Sequence, residues 1–191
     1  MELLHVPRQD EIPKGLFLNT DVITEDEEAN IMKWLDAQVW STAIKRRTQH
    51  YGYEYSYTSK FVSQTIPMSG PILDIANRLS NIFNANQCIV NEYYRDQAIS
   101  PHIDANMFGP IIMGLSIGAP ANMIFTNGDK KFIAYLPRRS LVLLQDEART
   151  LWKHSIPSTK KIITPDGIID KQTNYRRISL TYRTVNSDNI I

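Results

Sequence analysis

The stretch that decides the fold runs from residue 102 to residue 183 and contains three motifs: His102-Ile-Asp104, an isolated His154, and Arg177-Ile-Ser-Leu-Thr-Tyr-Arg183. His102 and Asp104 are two residues apart, so on an extended strand their side chains point to the same face. Two imidazoles and one carboxylate can hold an octahedral metal on one side and leave its other side open. His154 must then come from a distant part of the chain, as it can in a closed β-barrel or sandwich. The stretch therefore predicts a β fold with a metal site.

Two further pairs of polar residues share strand faces. Asn91 and Tyr93 precede the first histidine of the motif and are two residues apart, while Arg177 and Arg183 are six apart. An even separation places both members of a pair on one face of a strand. Guanidinium groups bind carboxylates in a forked geometry, so these side chains could hold a dicarboxylate beside the metal. The alternative is a solvated strand face with two surface arginines; inside an apolar barrel, such arginines need a partner.

In order and spacing, these residues resemble the Fe(II)- and 2-oxoglutarate-dependent dioxygenases of the AlkB family, most of all its eukaryotic members, including those that act on the tRNA wobble uridine. The resemblance covers residues 45–185 and extends to the blocks 136–144 and 147–154. It implies that Fe(II), 2-oxoglutarate and O2 together oxidise a substrate C–H bond, and that an oxidised N-methyl group leaves as formaldehyde. The implied catalytic metal ligands are His102, Asp104 and His154, and the implied 2-oxoglutarate ligands are Asn91, Tyr93, Arg177 and Arg183.

The pattern of the remaining chain predicts a mainly β (α+β) fold: a double-stranded β-helix, or jelly-roll, with two supporting N-terminal helices. One helix starts at the capping box that Thr24 opens, and the other runs from Pro71 to residues 84–86. Asn127-Gly128 predicts a two-residue hairpin turn, residues 157–175 a loop, and residues 176–184 the last strand.

The chain length of 191 residues predicts one domain. Residues 1–86 would supply an N-terminal extension with the helices and a substrate lid, and residues 87–185 the jelly-roll catalytic core.

A formal net charge of +1 argues against coating of nucleic acid through bulk charge and leaves room for a local basic patch. One cysteine fits a reducing compartment. Proline and glycine interrupt the uncharged segment 105–128, so we interpret it as buried strands rather than a membrane span. We expect an intracellular monomer, cytoplasmic or nuclear, without a signal peptide or transmembrane segment.

A basic and aromatic stretch lies between Lys45 and Tyr57. Its four tyrosines fall on every second residue, which predicts that all four face one side of a strand. The alternative is a half-buried strand beside a solvated basic run. By the resemblance, this region covers the substrate base, with rings stacking on bases and basic residues contacting phosphates. The candidate substrate contacts are Arg46, Arg47, Tyr51, Tyr53, Tyr55 and Asn106.

Two of the candidate positions have open interpretations. Asn106 stands where some repair members of the family carry an acidic residue, and an amide that both donates and accepts does not select one base. Arg149 and Trp152 precede His154 and could either fix its orientation or contact substrate.

Three classes of function compete. The sequence favours oxidative demethylation or hydroxylation of nucleic-acid bases, with DNA or RNA as partner, such as tRNA or an alkylated strand. The same chemistry on a protein side chain is the first alternative. A non-catalytic jelly-roll binding module, or a zinc hydrolase with the same three ligands, is the second. Arg177 and Arg183 argue against a hydrolase, since zinc hydrolysis needs no dicarboxylate.

Overall fold

The computed structural model describes residues 11–55 and 62–186, in which most elements are antiparallel strands. The helices are α1 (Glu25–Asp36), α2 (Gly70–Arg78) and α3 (Asp146–Thr150). The strands are β1 (Leu16–Asn19), β2 (Thr48–Tyr51), β3 (Tyr53–Tyr55), β4 (Val62–Gln64), β5 (Gln87–Tyr94), β6 (Ile99–His102), β7 (Phe108–Ile117), β8 (Ala121–Asn127), β9 (Lys130–Leu136), β10 (Ser140–Leu144), β11 (Lys153–Ile156), β12 (Lys161–Thr164), β13 (Gly167–Asp170) and β14 (Arg176–Val185).

Two antiparallel sheets form the body of the molecule. The larger has the strand order β1-β10-β7-β14-β5-β2, and the smaller has the order β6-β11-β8-β9. Side chains of β5 and β14 from the larger sheet, and of β6, β8 and β11 from the smaller, line one cavity between them. The predicted mainly β jelly-roll is confirmed.

The helices α1 and α2 support the larger sheet from outside. Thr24 Oγ1 accepts a hydrogen bond from the Glu27 amide at 3.1 Å, and the Glu27 carboxylate accepts one from the Thr24 amide at 2.8 Å, which confirms the predicted capping box. Ile31 of α1 and Ile72 of α2 are buried in the same core cluster as Leu180 of the last strand. No helix formed by the described residues is both long and apolar enough to cross a membrane.

The second helix is shorter than predicted. It ends at Arg78, and the chain continues in turns in which the amides of Ile82 and Phe83 donate to the carbonyl of Leu79. Ile82, predicted to lie on the apolar stripe, is 52% exposed. The prediction was wrong because the spacing of Ile82 fits a helix that continues to this residue, whereas the helix ends at Arg78.

Two connections also differ from prediction. Asn127 pairs with Lys130, so the two-residue hairpin loop is Gly128-Asp129, one residue later than predicted, and Gly128 takes the positive φ of 57°. The predicted loop 157–175 contains the hairpin of β12 and β13. The Asn122 side chain accepts from the Ile163 amide and donates to its carbonyl, both at 2.7 Å, which ties this hairpin to the smaller sheet.

The tyrosine stretch is not one strand. Gly52, with φ +77°, separates β2 from β3, and a Cβ there would lie 2.0 Å from the Asn86 carbonyl oxygen. β2 pairs with β5, whereas β3 turns away and pairs with β4. The prediction that the tyrosines share one face is therefore wrong for Tyr51 and Tyr53, because the break resets the alternation. Tyr57 lies outside the described residues.

Candidate metal and co-substrate site

The two histidines and the aspartate of the sequence motif converge. His102 ends β6 and pairs directly with His154 of β11, while Asp104 follows β6 by two residues. One potential ligand atom from each of the three lies within 4.8 Å of the others, and His154 Nε2 is 3.4 Å from Asp104 Oδ2. Residues 11–55 and 62–186 contain no other such cluster of histidine, cysteine and acidic side chains. The smaller sheet thus joins ligands that are about fifty residues apart in the sequence.

The surroundings of the three side chains favour the protonation states that bind metal. Burial lowers the pKa of His154 to about 4, so its imidazole is neutral at pH 7. Burial, the largest single influence, opposes ionisation of Asp104, but the charge of Arg183 and the other basic groups around the carboxyl together lower its pKa. His102 Nδ1 lies 2.8 Å from the Ser100 carbonyl oxygen, which can only accept. Nδ1 must therefore carry the proton, leaving Nε2 as the donor for a metal.

Arg177 and Arg183 project from β14 toward the same cavity. Arg183 Nη1 donates to Asp104 Oδ1 at 2.7 Å, and its guanidinium carbon lies 3.8 Å from the centroid of the Phe108 ring. Arg177 is 1% exposed, and its Nη2 donates to Ser116 Oγ at 2.8 Å. Its Nε and Nη1 are buried without a hydrogen-bond partner among the described residues. Burial lowers the pKa of Arg177.

The cavity has a volume of about 550 Å³ and contains the three potential metal ligands at one side. Asn91 and Tyr93 of β5 lie beside β14, where Tyr93 pairs with Arg177 and Asn91 with Ser179. The Arg177 guanidinium carbon is 5.4 Å from the centroid of the Tyr93 ring. The cavity thus combines a potential metal site with a buried cation that is only partly hydrogen-bonded.

Residues 17–183 match the model of the 2OG-Fe(II) oxygenase superfamily. The chain belongs to this superfamily. Its members use Fe(II), 2-oxoglutarate and O2. The chain is 35% identical to the alkylated DNA repair protein ALKBH8 homolog of Arabidopsis thaliana, covering 90% of this chain and 58% of the relative. It is 30% identical to the tRNA (carboxymethyluridine(34)-5-O)-methyltransferase ALKBH8 of Macaca fascicularis, covering 93% of this chain and 31% of the relative.

A solved structure supports the fold independently. The structure of OsALKBH1 superimposes with a TM-score of 0.69 at 15% sequence identity, covering 92% of this chain and 99% of the other. The AlkB resemblance seen in the sequence is confirmed by these relatives. This chain spans 58% and 31% of the lengths of the two curated relatives.

The residues present fit the two groups on which 2OG-Fe(II) oxygenases depend. Two imidazoles and a carboxylate are the donor set of a non-haem iron site with open positions. The two buried N–H groups of Arg177 without a partner are the donors that a carboxylate of 2-oxoglutarate would need. A buried guanidinium left in this state is costly, and an anionic ligand bound there would remove that cost.

Arg149 is a further residue of the oxygenase site that the sequence left undecided. Its guanidinium donates to the backbone carbonyls of Asp104 at 2.9 Å, Ala105 at 2.8 Å, and Phe108 and Gly109 at 3.3 Å. It therefore clamps the turn that follows Asp104 and fixes the direction of that ligand. No local pattern could show this, because the partners are backbone atoms forty or more residues away.

Of the basic residues predicted to contact substrate, only Arg46 lines the cavity. Its Nε donates to Asn91 Oδ1 at 2.8 Å. Arg47 points to the opposite side, donates to Glu92 at 2.5 and 2.8 Å, and lies over Trp40. Arg47 therefore does not face the cavity, since adjacent strand residues face opposite ways, and its contact with a phosphate stays a prediction.

Tyr51, Tyr53 and Asn106 also lie away from the cavity. Tyr51 is 1% exposed in the main core, where its hydroxyl donates to Gln49, so the prediction that it contacts substrate is wrong. Tyr53 packs against Val62 and Phe108 rather than lining the cavity. Asn106 is exposed in the turn after Asp104 and, among the described residues, is not part of the cavity lining. Tyr55 belongs to β3.

Proposed function

We propose that this oxygenase uses Fe(II) and 2-oxoglutarate to oxidise modified bases of nucleic acids, by removing an alkyl group or by hydroxylation. The observation that carries the co-substrate assignment is the buried Arg177 guanidinium, with two N–H groups that lack a partner among the described residues. It shares one cavity with the two histidines and the aspartate. A buried guanidinium with N–H groups that lack a partner is costly unless an anion joins it.

Different residues of the cavity would bind the metal and the co-substrate. His102, Asp104 and His154 would hold the metal from one side, and Arg149 would keep the aspartate in position. When bound, Fe(II) would provide the chemistry by which O2 and 2-oxoglutarate together oxidise a substrate C–H bond. Its co-substrate would be held by side chains of β5 and β14: Asn91, Tyr93, Arg177 and Arg183.

Arg177 would bind the carboxylate far from the metal, because it lies beside Tyr93 and is not bonded to a metal ligand. Arg183 would lie near the carboxylate on the metal side, since it is already paired with Asp104. The two arginines therefore have different roles: one binds the co-substrate, and the other mainly keeps the aspartate ionised and oriented.

A nucleic-acid substrate is supported by the printed names of the relatives, one a DNA repair protein and the other a tRNA-modifying enzyme. The paired strands β3 and β4 pack through Tyr53 and Val62 on Phe108, which also lines the cavity. We propose that these two strands form part of a lid beside the cavity mouth. Arg46 is then the basic side chain placed to meet an anionic group of the substrate.

Mass spectrometry of nucleosides tests this proposal. The protein would be incubated with Fe(II) and 2-oxoglutarate and with total tRNA or an alkylated oligonucleotide, and the loss or oxidation of modified nucleosides measured. Reactions without 2-oxoglutarate and with Asp104→Asn are matched controls. Succinate release with no change in any nucleoside, but with oxidation of an added protein, would replace nucleic acid by a protein substrate.

A further inference from the structure

The backbone around Arg46 is held from both sides. Arg46 precedes β2 by two residues and lies opposite Tyr93, since Thr48 pairs with Asn91 in antiparallel register. Gln97 Nε2 donates to the Lys45 carbonyl at 2.7 Å, and the Glu92 amide donates to the Arg47 carbonyl at 3.0 Å. The position of the Arg46 side chain is thus defined by the larger sheet and not by a free loop.

The Arg46 side chain meets two residues proposed to bind the co-substrate. Its Nε donates to Asn91 Oδ1 at 2.8 Å. Its guanidinium carbon lies 6.0 Å from the centroid of the Tyr93 ring, and all three residues line the cavity. Arg46 is therefore in contact with the Asn91 amide and close to the Tyr93 ring.

The chemistry of the bond between Arg46 and Asn91 fixes the orientation of an amide. A guanidinium has only donors, so the atom it meets on Asn91 must be the carbonyl oxygen. The nitrogen Nδ2 then occupies the other end of the amide. If the amide were reversed, an oxygen would face the place of Nδ2, and a carboxylate approaching there would meet another acceptor.

We propose that Arg46 is a positioning residue for 2-oxoglutarate: it holds the Asn91 amide so that Nδ2 donates to a carboxylate of the co-substrate. This inference rests on the proposed function, because it assumes that 2-oxoglutarate occupies this cavity. It differs from simple attraction between the positive charge of Arg46 and a dianion. Attraction would act without Asn91 and would be screened by salt.

A double-mutant cycle separates the two explanations. Isothermal titration of 2-oxoglutarate into Mn(II)-loaded protein would compare wild type, Arg46→Met, Asn91→Ala and the double variant, at low and high NaCl. Loss of one hydrogen bond to a charged ligand predicts a dissociation constant about tenfold higher for each single variant. The double variant should bind within about twofold of Asn91→Ala, because Arg46 acts through that amide.

Two results would overturn the inference. One is an unchanged dissociation constant in Arg46→Met, and the other is a double variant weakened by the product of the two single effects. Arg47→Met is the matched control: this neighbouring arginine pairs with Glu92 on the opposite face, so its loss should leave 2-oxoglutarate binding unchanged.

Arg177→Met distinguishes failure of this inference from failure of the proposed function. If Arg177→Met weakens 2-oxoglutarate binding while Arg46→Met does not, the co-substrate site stands and the role of Arg46 falls. If wild type binds no 2-oxoglutarate, or if Arg177→Met binds it as tightly as wild type does, the proposed co-substrate site fails as well.

Discussion

Arg176 and Arg177 are neighbours on β14 and lie on opposite faces of the larger sheet, yet their surroundings differ completely. Arg176 donates to Glu92 at 2.8 Å and to Asp36 at 3.0 Å. Hydrogen bonding to Asp36 first, and then to Glu92, raises its pKa. Arg177 donates to Ser116, and its other buried N–H groups lack a partner among the described residues. Arg176 completes a network of ion pairs, whereas Arg177 retains the buried N–H groups that the proposed co-substrate would bind.

The same division appears in the adjacent pair Arg46 and Arg47. Arg47 joins the outer network by binding Glu92, which is fully buried and accepts from Arg176 as well. Arg46 faces the cavity and binds the Asn91 amide. The outer charges are paired with one another, so that the loss of one would leave its partner poorly paired, while the inner charges surround the cavity. Adjacent residues on a strand can therefore have separate functions.

The largest expected effect comes from the inner face. Asp104→Asn keeps an oxygen that can accept from Arg183 but removes the negative charge from the proposed metal site. Loss of residues that merely orient ligands costs 10- to 100-fold, so we expect succinate formation to fall by at least about 100-fold. Succinate release per protein is the measurement, with circular dichroism to check the fold. Turnover close to wild type would contradict the iron assignment.

Arg177→Met should separate ligand binding from stability. We expect the dissociation constant for 2-oxoglutarate to rise about 10- to 150-fold, since a bond to a charged group is lost. The unliganded variant should melt at or above the wild-type temperature, because removing a poorly paired buried charge is not costly. Thermal melts with and without 2-oxoglutarate and Mn(II) measure both effects. A large loss of stability in the unliganded variant would mean that Arg177 makes interactions that stabilise the fold in the absence of a ligand.

Arg149→Met tests a buried cation on the inner side that is fully engaged with backbone carbonyls. Release of the turn after Asp104 should weaken metal binding by about 10- to 100-fold, as for other residues that orient a metal ligand. Titration with Mn(II) measures this. Arg78→Met, which removes an exposed arginine paired with Glu27, is the control and should bind Mn(II) like wild type. Equal Mn(II) affinities of Arg149→Met and Arg78→Met would mean that Arg149 does not orient the Asp104 ligand.

Arg176→Met should have the smallest effect on function. Glu92 keeps Arg47 as a partner, so we expect a loss of about 1–3 kcal/mol in the free energy of unfolding, measured by urea denaturation. The affinity for 2-oxoglutarate should not change. If this variant weakens 2-oxoglutarate binding as much as Arg177→Met does, the contrast between the two faces of β14 is not real.

Several features of the site could be predicted because they depend on local spacing. Two residues on one strand, such as Asn91 and Tyr93, share a face whenever their separation is even, and the structure places both in the cavity. The capping box at Thr24 is equally local, since its two hydrogen bonds join residues three apart. The placement of Tyr51 was wrong because the same rule was carried across Gly52, where positive φ breaks the strand.

The sequence by itself indicated the set of potential ligands for the metal and the co-substrate, which of them share a strand face, and the family. Tertiary structure decided which of two adjacent arginines faces the cavity, that His154 lies opposite His102, and that Arg149 holds the turn after Asp104. Alternation along a strand separates Arg46 from Arg47 but does not say which face is inside. That choice depends on the packing of helices on one side of the sheet and of a second sheet on the other, through contacts between residues far apart in the chain.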